Sequence, residues 1–200
     1  MQLLELARLV RRQAGRKKRI IIGIVGAPGS GKSTLAKQLC AALGAEAIVV
    51  PMDGFHFDDA VLNARGHLAR KGAPHTFDVA GFEILLRRIK ARESDIAIPV
   101  FDRGMELSRA GAEIISRDAK YILVEGNYLL LKTTGWKRLK RLFGFTIFLD
   151  VPIAELEGRL IARWLGFGFD PHAAREKSLG NDIPNAQFVV KNSAKANLIL

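Results

Sequence analysis

The chain has 200 residues, 48% of them hydrophobic, and carries 31 Lys and Arg against 20 Asp and Glu, a formal charge of +11. That length and apolar content suit one core in a single domain over residues 1–200, and the lone Cys40 excludes an internal disulfide and fits a reducing compartment. Met1 to Val10 is apolar only in spots with its positive block after it, and no apolar run approaches the ~20 residues of a bilayer span, so a cytoplasmic protein without a membrane partner is expected. The basic balance favours an anionic ligand, although no aromatic-interleaved platform or recognition-helix pattern points to nucleic acid.

Leu3, Leu4, Ala7 and Val10 recur at helical spacing, which predicts an amphipathic helix from Gln2 to about Gln13. The basic run Arg11, Arg12 and Arg16 to Arg19 then reads as a solvated connector, so that residues 1–19 precede the first strand as helix and linker. An apolar β-branched run from Ile20 breaks into Gly26-Ala27-Pro28-Gly29-Ser30-Gly31-Lys32-Ser33-Thr34, which matches the G-x-x-x-x-G-K-[ST] phosphate-binding loop between a strand and a helix. Glycines remove the Cβ clash, so successive backbone N–H groups can curl around phosphate oxygens while the new helix adds positive potential. Lys32 is placed to reach the β- and γ-phosphates and the Ser33 hydroxyl to bind Mg²⁺, so a nucleoside triphosphate, ATP with Mg²⁺ being the usual one, is the expected ligand.

Lys32 to Leu43 follows as a helix stopped by Gly44, and Ala47 to Met52 is a short apolar run suited to a buried parallel strand. Asp53 at its carboxyl end faces the crevice where open α/β sheets hold their ligands. Asp58 and Asp59 fit the cap of a helix over Ala60 to Ala64, and Asp78 the cap of a longer helix carrying Phe82, Leu85, Leu86 and Ile89. Between them, Gly66 to Asp78 is a breaker-rich, cationic loop able to close over a substrate. Ile98 to Phe101 and Ala112 to Ser116 read as short strands flanking Asp102, Arg103 and Arg109, a hairpin over the site.

Tyr121 to Gly126 is a further apolar strand that ends in Glu125, the place of a Walker B carboxylate; a buried acid there needs a cationic partner, metal or Arg. Trp136 to Phe143 reads as a basic helix and Phe145 to Asp150 as a strand. Ala154 to Trp164 is a helix with Arg159 and Arg163 four residues apart. Glu155 can pair with Arg159, but Arg163 has a cation four residues before it, and a lid over roughly 155–180 that brings both guanidinium groups to a transferring phosphate accounts for them better. Asp170 to Leu179 is another helix, Asn181 to Asn185 starts a third, and Asn197 to Leu200 closes the chain as a strand. The alternation predicts a three-layer α/β sandwich around a parallel sheet.

The phosphate loop together with Met52-Asp53-Gly54-Phe55, Pro99-Val100-Phe101-Asp102, Val124-Glu125-Gly126 and the Arg159/Arg163 pair resembles the uridine kinase, phosphoribulokinase and pantothenate kinase group of P-loop kinases over nearly the whole length. Within that group the chain looks most like bacterial fructose-transport-system kinases. The resemblance implies a P-loop fold with a five-stranded parallel core sheet, Asp53 as general base with a share in the metal, Glu125 and Ser33 as Mg²⁺ ligands, and Arg159 and Arg163 as lid cations. Departures are visible too: Gly72 stands where uridine kinases hold the ribose with an acid, Phe101 where they carry Tyr, and Glu106 or Leu107 where they carry His. A site built for a hydroxyl discriminates strongly once a buried partner is lost, so the uridine site is not expected intact. The implied function is ATP-dependent phosphoryl transfer to a hydroxyl of a sugar or sugar-like alcohol. A nucleoside or pantothenate kinase is the alternative within the enzyme class, and a P-loop ATPase switching on nucleic acid the alternative outside it.

Overall fold

A computed structural model describes residues 1–200. Helix α1 (Leu3–Ala14) leads into β1 (Ile20–Gly26), and the phosphate loop joins β1 to α2 (Lys32–Leu43). β2 (Ala47–Pro51), α3 (Asp59–Ala64) and α4 (Val79–Ala91) follow, then the ribbon strands β3 (Ile96–Asp102) and β4 (Leu107–Ile115). β5 (Tyr121–Gly126) and β6 (Phe145–Leu149) return to the sheet, and α5 (Ile153–Gly166), α6 (Pro171–Lys177), α7 (Ile183–Asn192) and β7 (Leu198–Ile199) complete the chain. The main sheet has five strands in the order β2-β5-β1-β6-β7, and every pairing in it is parallel. This is the α/β architecture that the alternation of elements predicted, with the five-stranded parallel core that the family resemblance implied. No helix is long and apolar enough to cross a membrane.

Every residue of β1 is buried, because helices cover both faces of the sheet. Alternation sorts its side chains: Ile20, Ile22 and Ile24 pack with α1 and α2, while Ile21 and Val25 face the larger core under α4. Gly23 takes the intervening position because a Cβ there would lie 3.2 Å from the Phe143 ring. α1 buries Leu6, Ala7, Val10 and Ala14, whereas Leu4, assigned to the buried stripe from spacing, is 64% exposed. The stripe is rotated by part of a turn, and two matches at i+3 could not determine its centre.

Three further local differences have physical causes. The Trp136–Leu142 segment is a 3₁₀ helix that buries Trp136, Leu139 and Leu142, the threefold spacing that eclipses side chains on one face. β4 starts earlier than the expected Ala112 because Leu107 to Gly111 are half-buried or exposed and so read as loop, and the ribbon's register shifts between Ile98 and Val100, where Pro99 has no N–H to give. α6 and α7 run into each other through a π turn at Ser178–Asp182. Pro184 cannot donate to the Gly180 carbonyl, which instead accepts from Arg70 at 3.1 Å. The basic connector is not wholly solvated either: the Arg19 guanidinium donates to the carbonyls of Ala119, Ile89, Ser116 and Arg117, and Arg11 to that of Ala42.

Candidate active site

Parallel register brings the sequence-predicted groups to one edge. Val25 lies beside Gly126 and Pro51 beside Glu125, so the phosphate loop, Glu125 and the turn carrying Asp53 all leave the sheet at its carboxyl end. In the loop, Gly29 and Gly31 adopt φ of +80° and +87°, where an L side chain is strained. A Cβ on Gly26 would strike the Ser30 hydroxyl and approach the Leu149 carbonyl at 3.2 Å, so the loop closes only around glycine. Gly26, Ala27 and Ser30 are buried behind it, while Pro28, Gly29, Gly31, Lys32, Ser33 and Thr34 line an open cleft of about 1230 Å³. No acid occupies the first turn of α2, which leaves its N-terminal dipole uncompensated toward that cleft. The volume exceeds the roughly 300–1,000 Å³ usual for one small ligand.

Asp53 sits in a 3₁₀ turn, Met52–Phe55, whose approach to the ribbon requires Gly54: a Cβ there would run into the Pro99 carbonyl. The Ser108 hydroxyl donates to the Gly54 carbonyl and pins the ribbon over the turn, as expected of the hairpin. From its tip Arg103 donates to Asp53 Oδ2 at 2.7 Å. His56 was not singled out from the sequence, yet its Nδ1 lies 2.8 Å from the Asp53 carbonyl and its ring packs at 4.0 Å from Phe77 and 4.9 Å from Phe101. Burial pushes the His56 pKa down, only partly offset by Asp53, so the imidazole is neutral. The spacing Asp53, His56 on a tight turn was the available signal.

Glu125 is 7% exposed, with Lys32, Asp53, the Ser33 hydroxyl and Arg103 as its polar neighbours. Burial raises its pKa and Asp53 adds to the rise, while Lys32 and Ser33 pull it back. Gly72 carries no acid and is held by Tyr128, whose hydroxyl donates to its carbonyl at 2.6 Å. The surrounding loop is tied by Lys71 to Asp59 at 2.6 Å and by Asn181 to the Lys71 carbonyl at 2.9 Å.

The two arginines of α5 are placed differently from each other. Arg159 pairs with Glu155 at 2.5 Å and reaches the Gly29 carbonyl at 3.4 Å, beside the phosphate loop. Arg163 does have a carboxylate partner, one that helical spacing could not supply: Asp182 of the π turn accepts from it at 3.0 Å and from the Trp164 indole N–H at 2.7 Å. Nothing in the sequence pointed to Asp182, because the contact depends on how α5 meets the π turn.

A solved structure from Silicibacter sp. TM1040, of a protein provisionally named a fructose transport system kinase, is 41% identical with a TM-score of 0.95, covering 100% of this chain and 99% of that one. A Schizosaccharomyces pombe protein provisionally named a uridine kinase is 32% identical over 196 residues, 92% of this chain and 83% of its own length. The chain belongs to the P-loop kinases. The Escherichia coli protein YggC, itself uncharacterized, is 34% identical over 189 residues, 92% of this chain and 78% of its own. No family model matches the kinase.

P-loop kinases pair the phosphate loop with Mg²⁺, and the residues of this one fit the ion. Glu125 is a buried carboxylate beside the Ser33 hydroxyl, with Asp53 nearby. No cluster of three or more His, Cys, Asp or Glu side chains surrounds the place. That suits a cation held by one or two carboxylates and otherwise by phosphate and water.

Proposed function

We propose that this P-loop kinase transfers the γ-phosphoryl group of ATP to a hydroxyl of a small molecule, a sugar or sugar-like alcohol. The observation that carries the reading is the convergence of Lys32 and Asp53 on one cleft roomy enough for a nucleotide and an acceptor, with Glu125 buried beside both. The acceptor oxygen attacks the γ-phosphorus, the bond from that phosphorus to the bridging oxygen of ADP breaks, and the hydroxyl proton passes to Asp53. Arg103 holds that carboxylate toward the acceptor side. Backbone N–H groups of residues 26–34 other than Pro28 and the Lys32 ammonium carry the phosphates, and α5 and α6 act as the lid whose Arg159 and Arg163 balance charge on the transferring group. Glu125 and Ser33, with a share from Asp53, would hold Mg²⁺, which would supply neutralisation of the phosphate charge when bound. We assign an ATP-using enzyme of this kind to the cytoplasm.

The test is a panel of sugars, polyols, nucleosides and pantothenate, assayed for phosphate transfer from ATP in the presence of Mg²⁺. Pantothenate kinases enter the panel because that of Rhodococcus opacus is 30% identical to this chain, which spans about half of it. Turnover should require a small alcohol. ATP hydrolysis stimulated by RNA or DNA and by no member of the panel would overturn the reading.

A further inference from the structure

The acceptor side of the cleft is rich in charge, yet most of that charge is already matched. Lys71 is paired with Asp59 at 2.6 Å and lies 3.6 Å from Glu106; Arg103 is paired with Asp53 at 2.7 Å and Arg163 with Asp182 at 3.0 Å. Lys32 belongs to the phosphate loop, and Lys177 lies over the rings of Trp164 and Phe169, 4.9 Å from each, on the lid helices. A carboxylate or phosphate on the acceptor would find no unpaired cation beside Asp53 and would add a negative charge next to it.

What the cleft wall does offer is amides. Asn127, Asn181 and Asn185 all line it. Asn181 is spoken for, donating to the Lys71 carbonyl and accepting from Asn185 at 3.3 Å. Asn127 is not: its Oδ1 is fully buried and has no hydrogen-bond partner. The residue follows Gly126 at the end of β5, two positions past Glu125, and its amide lies against the Tyr128 hydroxyl, itself fixed on the Gly72 carbonyl. A buried amide oxygen left unpaired is costly, and a ligand can relieve that cost only by donating an O–H or N–H. Carboxylate and phosphate oxygens at neutral pH donate nothing. Phe101 and His56 add an apolar rim suited to the C–H face of a polyol.

We infer that the acceptor is an uncharged polyhydroxylated molecule and that Asn127 Oδ1 accepts a hydrogen bond from one of its hydroxyls, apart from the one that is phosphorylated. This rests on the kinase reading and narrows its substrate class. Asn127 becomes the residue that reads one hydroxyl of the acceptor, while the already paired cations around Asp53 disfavour anions.

The experiment measures binding to the full chain, saturated with Mg²⁺ and a non-hydrolysable ATP analogue, by calorimetry and thermal shift. The probes are D-fructose, D-glucitol and ribitol, set against D-fructose 6-phosphate and D-gluconate, with single-deoxy analogues of whichever polyol binds best. The neutral polyols should bind at least roughly tenfold more tightly than their anionic counterparts. Asn127→Ala should weaken the best polyol by roughly 10- to 100-fold. One deoxy analogue should bind the wild type as weakly as the parent binds the variant, and the variant should not tell the two apart. The nucleotide-induced thermal shift, read separately, reports that the variant is folded. Tighter binding of the anionic members, binding of neither class, or equal discrimination among deoxy analogues in wild type and variant would each overturn the inference. Absence of any nucleotide-induced shift in the wild type would instead sink the kinase reading beneath it.

Discussion

Glu83 and Glu125 are buried to almost the same degree, 6% and 7% exposed, and their surroundings drive them in opposite directions. Glu83 on α4 accepts from Arg87 at 2.6 Å and lies 3.0 Å from Arg138 and 3.8 Å from Arg141 of the 3₁₀ segment; that hydrogen bond above all, with the other guanidinium groups, holds its carboxyl below the ordinary 4.5 despite burial. For Glu125 burial wins, because Lys32 and Ser33 face the added repulsion of Asp53. The first carboxylate is matched by fixed partners and clamps one segment to another. The second is left partly unmatched at the sheet's carboxyl edge, which agrees with the proposed binding of a cation there together with the nucleotide.

The comparison can be broken most severely on the ligand side. Lys32→Ala should lower phosphoryl transfer by at least about 10³-fold with an unchanged melting temperature, because Lys32 serves the phosphates and not the core. Full activity in that variant would remove the kinase reading. Next comes the division of labour between the strand-end carboxylates. Asp53→Asn should lose roughly 10²- to 10⁴-fold in single-turnover transfer while ATP affinity stays near normal. Glu125→Gln should weaken productive nucleotide binding and recover in part as Mg²⁺ is raised. Rescue of Asp53→Asn by metal, with none for Glu125→Gln, would mean that the two assignments are reversed.

On the structural side the effects should be smaller and read out as stability. Glu83→Gln should leave transfer unchanged and lower stability at neutral pH by roughly 1 kcal/mol, the guanidinium partners being half exposed. Because the folded pKa of Glu83 is depressed, its contribution is present above about 4.5 and is lost as pH falls through the folded value, so the difference between wild type and variant should vanish on acidification. A stability gap that persists at low pH would point to packing and not charge. The smallest effect belongs to cations outside both networks: replacing Arg16, Lys17 and Lys18 together by Gln should change turnover little, and any nucleic-acid binding should be weak, salt-sensitive and indifferent to sequence. Arg19 is excluded from that set, since four carbonyls depend on it.

Much of this arrangement was legible in the residues themselves. The phosphate loop, the acids at the ends of β2 and β5, and the caps at Asp58 and Asp78, which accept from the backbone N–H groups of Ala60 and Gly81, are local chemistry: their meaning is set by neighbours within a few positions, and those neighbours are in the text. The parallel sheet followed from alternating apolar runs and helical periods. What no run of residues contained was the partner of each charge. Arg163 meets Asp182, Arg103 meets Asp53 across 50 residues, Arg138 and Arg141 close on Glu83, and Asn127 is left with an unpaired oxygen only because of what packs around it. Periodicity determines which face of an element is apolar, whereas the pairing of buried polar groups depends on which elements the fold brings together and on how far each side chain must reach to avoid burial without a partner.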